Sequence, residues 1–76
     1  MPHVEIKCYP GRTEEQKKKC ADKIAEDIAE VLGCDISSVS VAIKEIPAEE
    51  WKEKVWEVDI TPNEKYLYVK PGYTCE

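Results

Sequence analysis

Apolar and polar residues alternate along HVEIKCY (residues 3–9), with Val4, Ile6 and Cys8 on one side and His3, Glu5 and Lys7 on the other. A period of two marks a half-buried strand, and Pro10-Gly11 ends it with turn chemistry. The period then lengthens. Cys20, Ala21, Ile24, Ala25, Ile28, Val31 and Leu32 recur at steps of three and four, which predicts a helix with one broad apolar stripe. Lys18, Lys19, Asp22, Lys23, Glu26, Asp27 and Glu30 fill its other side as a solvated face. Thr13 and Gln16 form a capping-box pair at its start, and Gly33 stands where a helix of this kind stops. Alternation returns over residues 38–46, with Val39, Val41 and Ile43 in step, and ends at Pro47. Strand, long helix and strand make a βαβ unit, so the two strands are expected to run parallel with a right-handed crossover.

The last thirty residues carry a weaker pattern. Trp51, Val55 and Val58 fit one face of a short helix after Pro47. On such a helix Trp56 lies about 140° around from Trp51, so the two indoles are expected to serve different neighbours. Thr61-Pro62-Asn63-Glu64 reads as a second capping box with proline at the first helical position. The helix it opens is expected to run on through Tyr66-Leu67-Tyr68-Val69, a segment that would also suit a strand.

A chain of 76 residues holds one domain, and the whole of 1–76 is read so. Two strands and a helix do not cover their own apolar faces, because independent stability takes three or more strands or a covered face. A partner chain that extends the sheet to four strands is the simplest remedy, so a homo-oligomer is expected. The charge balance, 16 acidic against 11 basic residues with a net charge of −5, offers no concentrated basic face for nucleic acid or an anionic membrane. No apolar run approaches the ~20 residues of a bilayer span, and MPHVEIK lacks the layout of a secretory signal. Cytoplasmic residence is the resulting expectation. Cys8, Cys20, Cys34 and Cys75 lack any C-x-x-C spacing and share the chain with one histidine. They read as buried or half-buried thiols, not as a disulfide framework or a metal site.

Two positions carry candidate chemistry. Pro2 follows the initiator, and its small ring is compatible with removal of Met1, which would leave a secondary amine at the start of a strand. An α-amino group titrates near ~7.7–8.0, and apolar surroundings or a nearby cation lower that value by disfavouring the charged form. A neutral amine near pH 7 is a general base whose conjugate acid can return the proton elsewhere. Arg12 stands between the Pro10-Gly11 turn and the helix, where a guanidinium can grip a carboxylate or a carbonyl. Taken alone, Pro2 reads as the plain start of a strand and Arg12 as a surface arginine near a first turn.

In combination they carry a resemblance. Pro2, the strand HVEIK, Gly11-Arg12, Glu15-Gln16-Lys17, Ser37-Ser38-Val39-Ser40-Val41, Ile43-Lys44-Glu45-Ile46 and Trp51 stand in the order and spacing of the tautomerase superfamily. The chain resembles the short 4-oxalocrotonate tautomerase-like members, and Lys70-Pro71-Gly72-Tyr73 looks like the tail of a bacterial subgroup that forms dimers, where other members form hexamers. The resemblance implies an α+β fold built from one βαβ unit and short C-terminal helices. It also implies a cofactor-independent isomerase that interconverts the keto and enol forms of a small 2-oxo acid or enolpyruvate. Pro2 would be the base, Arg12 would bind and polarise the substrate, and Trp51 would wall the pocket and keep it dry. Several relatives place a second arginine on the second strand, supplied by a neighbouring subunit. Ser40 holds that position here, which favours a monocarboxylate over a diacid.

Four features stay open at this stage. The same fold with a protonated Pro2 would suit decarboxylation or hydration of an unsaturated acid. A non-catalytic acidic oligomeric domain is the further reading, favoured where Met1 is retained and blocks the amine. His3 belongs to the polar face of its strand, where tuning the site suits it better than chemistry. Tyr9, Tyr66, Tyr68 and Tyr73 could line a pocket, although interface or surface packing suits them better.

Overall fold

The computed structural model describes all 76 residues, arranged in two compact units, residues 1–45 and 46–76. The first unit is the expected βαβ motif. Strand β1 (His3–Cys8) and strand β2 (Ser40–Glu45) pair in parallel, with His3 opposite Ser40, Val4 opposite Val41 and Ile6 opposite Ile43. Helix α1 (Glu14–Leu32) connects them and packs on β2. Both of its ends form as the sequence dictates. The Thr13 hydroxyl accepts from the Gln16 N–H at 3.0 Å, and the Gln16 side chain accepts from the Thr13 N–H at 2.9 Å. Gly33 closes the helix at φ 70°, a left-handed conformation that glycine reaches without a Cβ penalty.

The second strand begins two residues later than the alternation suggests. Asp35 accepts from the Ser37 N–H at 2.9 Å and turns Ile36–Ser38 into a single 3₁₀ turn. That local side-chain bond competes successfully with the sheet ladder. The same bond holds the Asp35 carboxyl below its ordinary pKa. Lys17 ties the helix to the end of β2 through Glu45 at 3.6 Å. Its ammonium pKa is raised first by its hydrogen bond to Glu14.

The apolar stripe of α1 is only partly covered. Ala21, Ile24, Ala25 and Ile28 are half-buried, whereas Val31 is 79% exposed, Leu32 is 67% exposed, and Cys20 is exposed rather than half-buried as its helical position suggested. The physical reason is the width of the sheet. Two strands stand only ~4.8 Å apart, too narrow a floor for a 19-residue helix. All four cysteines are free thiols.

The second unit departs further from its expected form. After a 3₁₀ turn (Ala48–Glu50), the chain winds as helix α2 (Lys52–Ile60) with π-type geometry, then as a further 3₁₀ helix over Thr61–Tyr66. The wider winding rotates Val58 out to 54% exposure, while Val55 is 4% exposed and forms the core. The second capping box does not form. The Thr61 hydroxyl donates to the Trp56 carbonyl at 3.2 Å instead of capping the next turn. The 3₁₀ helix ends at Tyr66, and Leu67 is extended, so residues 67–69 make neither the expected helix nor a strand. No helix is long and apolar enough to cross a membrane.

Candidate active site

Pro2 is half-buried at the foot of β1, and its carbonyl accepts from the Ser40 N–H at 3.1 Å. This bond begins the parallel ladder and fixes where the residue-2 backbone stands. Met1 is 97% exposed, so it makes little contact with the rest of the chain. Because His3 and Ser40 are register partners, their side chains share one face, the one opposite Val4 and Val41. They meet there, with His3 Nδ1 2.6 Å from Ser40 Oγ. Farther along the same face, Glu5 is balanced by Lys44 at 3.1 Å and Lys7 at 3.7 Å.

Arg12 lies at the other end of the strand. Its Nη1 donates to the Tyr9 carbonyl at 3.2 Å, just past the end of β1. At ~3.3 Å per residue, the six residues of β1 separate this guanidinium from Pro2 by about 20 Å within one chain. Arg12 borders a cavity of about 170 Å³ between the helix-facing side of the sheet and α1, lined by Ile6, Cys8, Ile43, Lys17 and Cys20 among others. The structure therefore brings Pro2 and Ser40 together within one chain and does not bring Arg12 to them.

Trp51 belongs to the second unit. Its indole N–H donates to the Tyr73 hydroxyl at 3.0 Å, while the Trp56 ring packs on the Tyr73 ring at 5.4 Å between centroids. The two indoles thus share one neighbour, against the expectation of separate ones. An α-helical count turns residues five apart away from each other, but an i→i+5 ladder brings them toward the same side. Tyr73 and Trp56, with Ile60, Leu67 and Pro71, also line a cavity of about 240 Å³. Interface or surface packing is the expected place of Tyr73 with pocket lining as its alternative, and the structure puts it at a cavity wall. Its place in the tail Lys70-Pro71-Gly72-Tyr73 was the one signal that could have marked it for more.

Comparison with known proteins gives this arrangement a context. Residues 2–53 match the family model described as "Tautomerase enzyme". The chain is 45% identical over 75 residues to tautomerase PptA of Enterobacter sp. (strain 638), spanning 97% of this chain and 99% of that one. It is 38% identical over 73 residues to a probable tautomerase of Xylella fastidiosa (strain 9a5c), spanning 96% and 89%. Among solved structures it is similar to apo unFused 4-OT, with a TM-score of 0.62 and 35% identity over 64% of this chain and 80% of that one. With the βαβ motif, the near-complete coverage and the family match in agreement, the chain belongs to the tautomerase family, as a 4-oxalocrotonate tautomerase-like enzyme with tautomerase-type activity.

Proposed function

We propose that this protein is a homodimeric, cytoplasmic keto–enol tautomerase of small 2-oxo monoacids, with the amine of Pro2, freed by removal of Met1, as general base. In the ketonisation direction the enol hydroxyl gives its proton to the Pro2 nitrogen. The electron pair moves through the C2–C3 double bond, and the resulting ammonium returns a proton to C3 as C2 becomes a carbonyl. No atom is gained or lost, and one basic nitrogen serves both proton transfers.

The single observation that supports this reading is the position of Pro2. Its backbone is pinned by Ser40 at the foot of a parallel pair, with a hydrogen-bonding side chain at the adjacent position. Arg12 takes the substrate carboxylate in this reading. Because one chain holds Arg12 about 20 Å from its own Pro2, the arginine comes from the second copy. A two-fold axis that sets the two β1 strands antiparallel brings the end of one to the start of the other and extends the sheet to four strands. The exposed Val31 and Leu32 and the lack of any fully covered residue in the first unit support assembly of this kind. Trp51 is assigned to the pocket wall by resemblance, and 1–76 acts as one tautomerase domain.

The test is ketonisation of an arylenolpyruvate by protein whose mass shows loss of Met1. Processed Pro2→Ala is expected to lose about 10²–10⁴-fold in kcat with a small change in KM. Unchanged turnover in that variant removes Pro2 from the mechanism.

A further inference from the structure

The second unit holds a cavity of its own, about 240 Å³, with aromatic walls and unpaired charged groups. Trp56 and Tyr73 form one side, their ring centroids 5.4 Å apart and their planes inclined at 42°. Tyr73 is fixed twice, by that contact and by the Trp51 indole N–H, which donates to its hydroxyl at 3.0 Å. A ring held in this way loses little freedom when a ligand arrives. Ile60 and Leu67, both half-buried, add apolar surface. Glu64 and Lys70 also line the cavity, and neither side chain has a hydrogen-bond or ion-pair partner. The adjacent polar groups are engaged, Lys65 over the Tyr66 ring at 5.2 Å and the Thr61 hydroxyl on the Trp56 carbonyl at 3.2 Å. Glu64 and Lys70 do not pair with each other, so a ligand with one charge of each sign can bridge them without displacing an existing bond. The volume falls below the ~300–1,000 Å³ of sites for drug-sized molecules. It suits one ring with a short side chain.

We propose that this cavity binds the zwitterion of an aromatic α-amino acid, its ring against Trp56 and Tyr73, its carboxylate on Lys70 and its ammonium on Glu64. Aromatic rings favour offset or edge-on contact over a flat sandwich, and two inclined rings offer a third both arrangements. No bond forms or breaks at this site, and neither Glu64 nor Lys70 moves a proton. Binding here is therefore independent of proton transfer at Pro2. Selectivity follows from having one charge of each sign. A 2-oxo acid with the same ring would satisfy Lys70 but set a carbonyl oxygen against the Glu64 carboxylate, with no donor between them. An arylalkylamine would satisfy Glu64 and leave Lys70 without a partner. The cavity thus separates an amino acid from its 2-oxo counterpart, a distinction that one guanidinium such as Arg12 cannot make.

The experiment titrates L-phenylalanine into the full chain, followed by calorimetry and by the indole N–H resonances of the two tryptophans. Saturable binding is expected with a Kd of about 0.1–3 mM, the range open to a ligand of this size. 3-Phenylpropionate lacks the ammonium and 2-phenylethylamine lacks the carboxylate. Each should bind about twofold to fivefold more weakly, the factor that one exposed ion pair supports. Lys70→Gln should weaken L-phenylalanine by a similar factor and leave 2-phenylethylamine unchanged. Glu64→Gln should weaken L-phenylalanine likewise and leave 3-phenylpropionate no weaker. Both residues are exposed, so these variants are expected to fold as the parent does. The Trp56 indole signal, identified as the one that survives in Trp51→Phe, should move as the site fills. No saturation up to about 10 mM overturns the proposal. Equal affinity for all three ligands overturns the zwitterion. L-phenylalanine binding that ignores both substitutions, or that leaves the Trp56 signal still, puts the ligand elsewhere and overturns the site.

Discussion

Residues 1–45 and residues 46–76 owe their order to different things. The first unit is regular in its backbone: two register-matched strands and a helix with both caps formed. Yet none of its residues reaches full burial in the isolated chain, and Val31 and Leu32 stand largely in solvent. The second unit is irregular, a run of 3₁₀ and π winding, and it contains the one buried residue, Val55. Its geometry follows side-chain packing: Trp51, Trp56 and Tyr73 meet because the helix widens. Regular hydrogen bonding and a closed core are therefore separable properties. In this chain they occupy different segments.

The sharpest test of that division is complementation. If the first unit is completed by a second copy, Pro2→Ala and Arg12→Ala should each be inactive alone. Co-expressed in equal amounts, half of the dimers pair one of each and keep one intact site, so roughly a quarter of the parental activity should return. No recovery would place Pro2 and Arg12 of one copy in the same site and contradict the distance along β1.

Next in size is an effect on selectivity. Ser40→Arg puts a cation on the face beside Pro2 and should shift kcat/KM toward diacid enols by roughly one to two orders of magnitude relative to monoacids. A parental preference for the diacid, or no shift in the variant, would show that residue 40 does not read the substrate. The smallest expected effect concerns the second unit. Val55→Ala removes two buried carbons and should lower unfolding free energy by about 2 kcal/mol at fixed protein concentration, read by denaturant titration. A negligible change would mean that the one covered residue is not a core.

The same contrast explains what could be read from the residues alone. Period-two and period-3.6 patterns, a capping box and a glycine stop specify the βαβ unit, since each is a local rule that the packing leaves intact. The Asp35 turn was missed because an aspartate two residues before a serine competes with the sheet only once the backbone is in place. Val58 and the two indoles were misplaced because apolar spacing was read at 100° per residue, and no residue announces a π winding. That Ser40 stands on the face opposite Val41 was legible from strand alternation. The His3–Ser40 contact needed the register, which depends on how the crossover closes.

The widened winding of residues 52–60 has a consequence for how this chain can change length. A helix bonded i→i+5 spends more residues per turn than one bonded i→i+4. Deleting one residue between Trp51 and Trp56 would let the segment relax toward the α form, and the spacing of the indoles would shrink from five to four. Keeping five residues while restoring α geometry would instead swing the two rings about 140° apart, and Tyr73 could then hold only one of them. The grip on the C-terminal tail, by one hydrogen bond and one ring contact, thus ties the spacing of two tryptophans to the pitch of the helix between them, so a change of one residue here must be matched by a change of pitch.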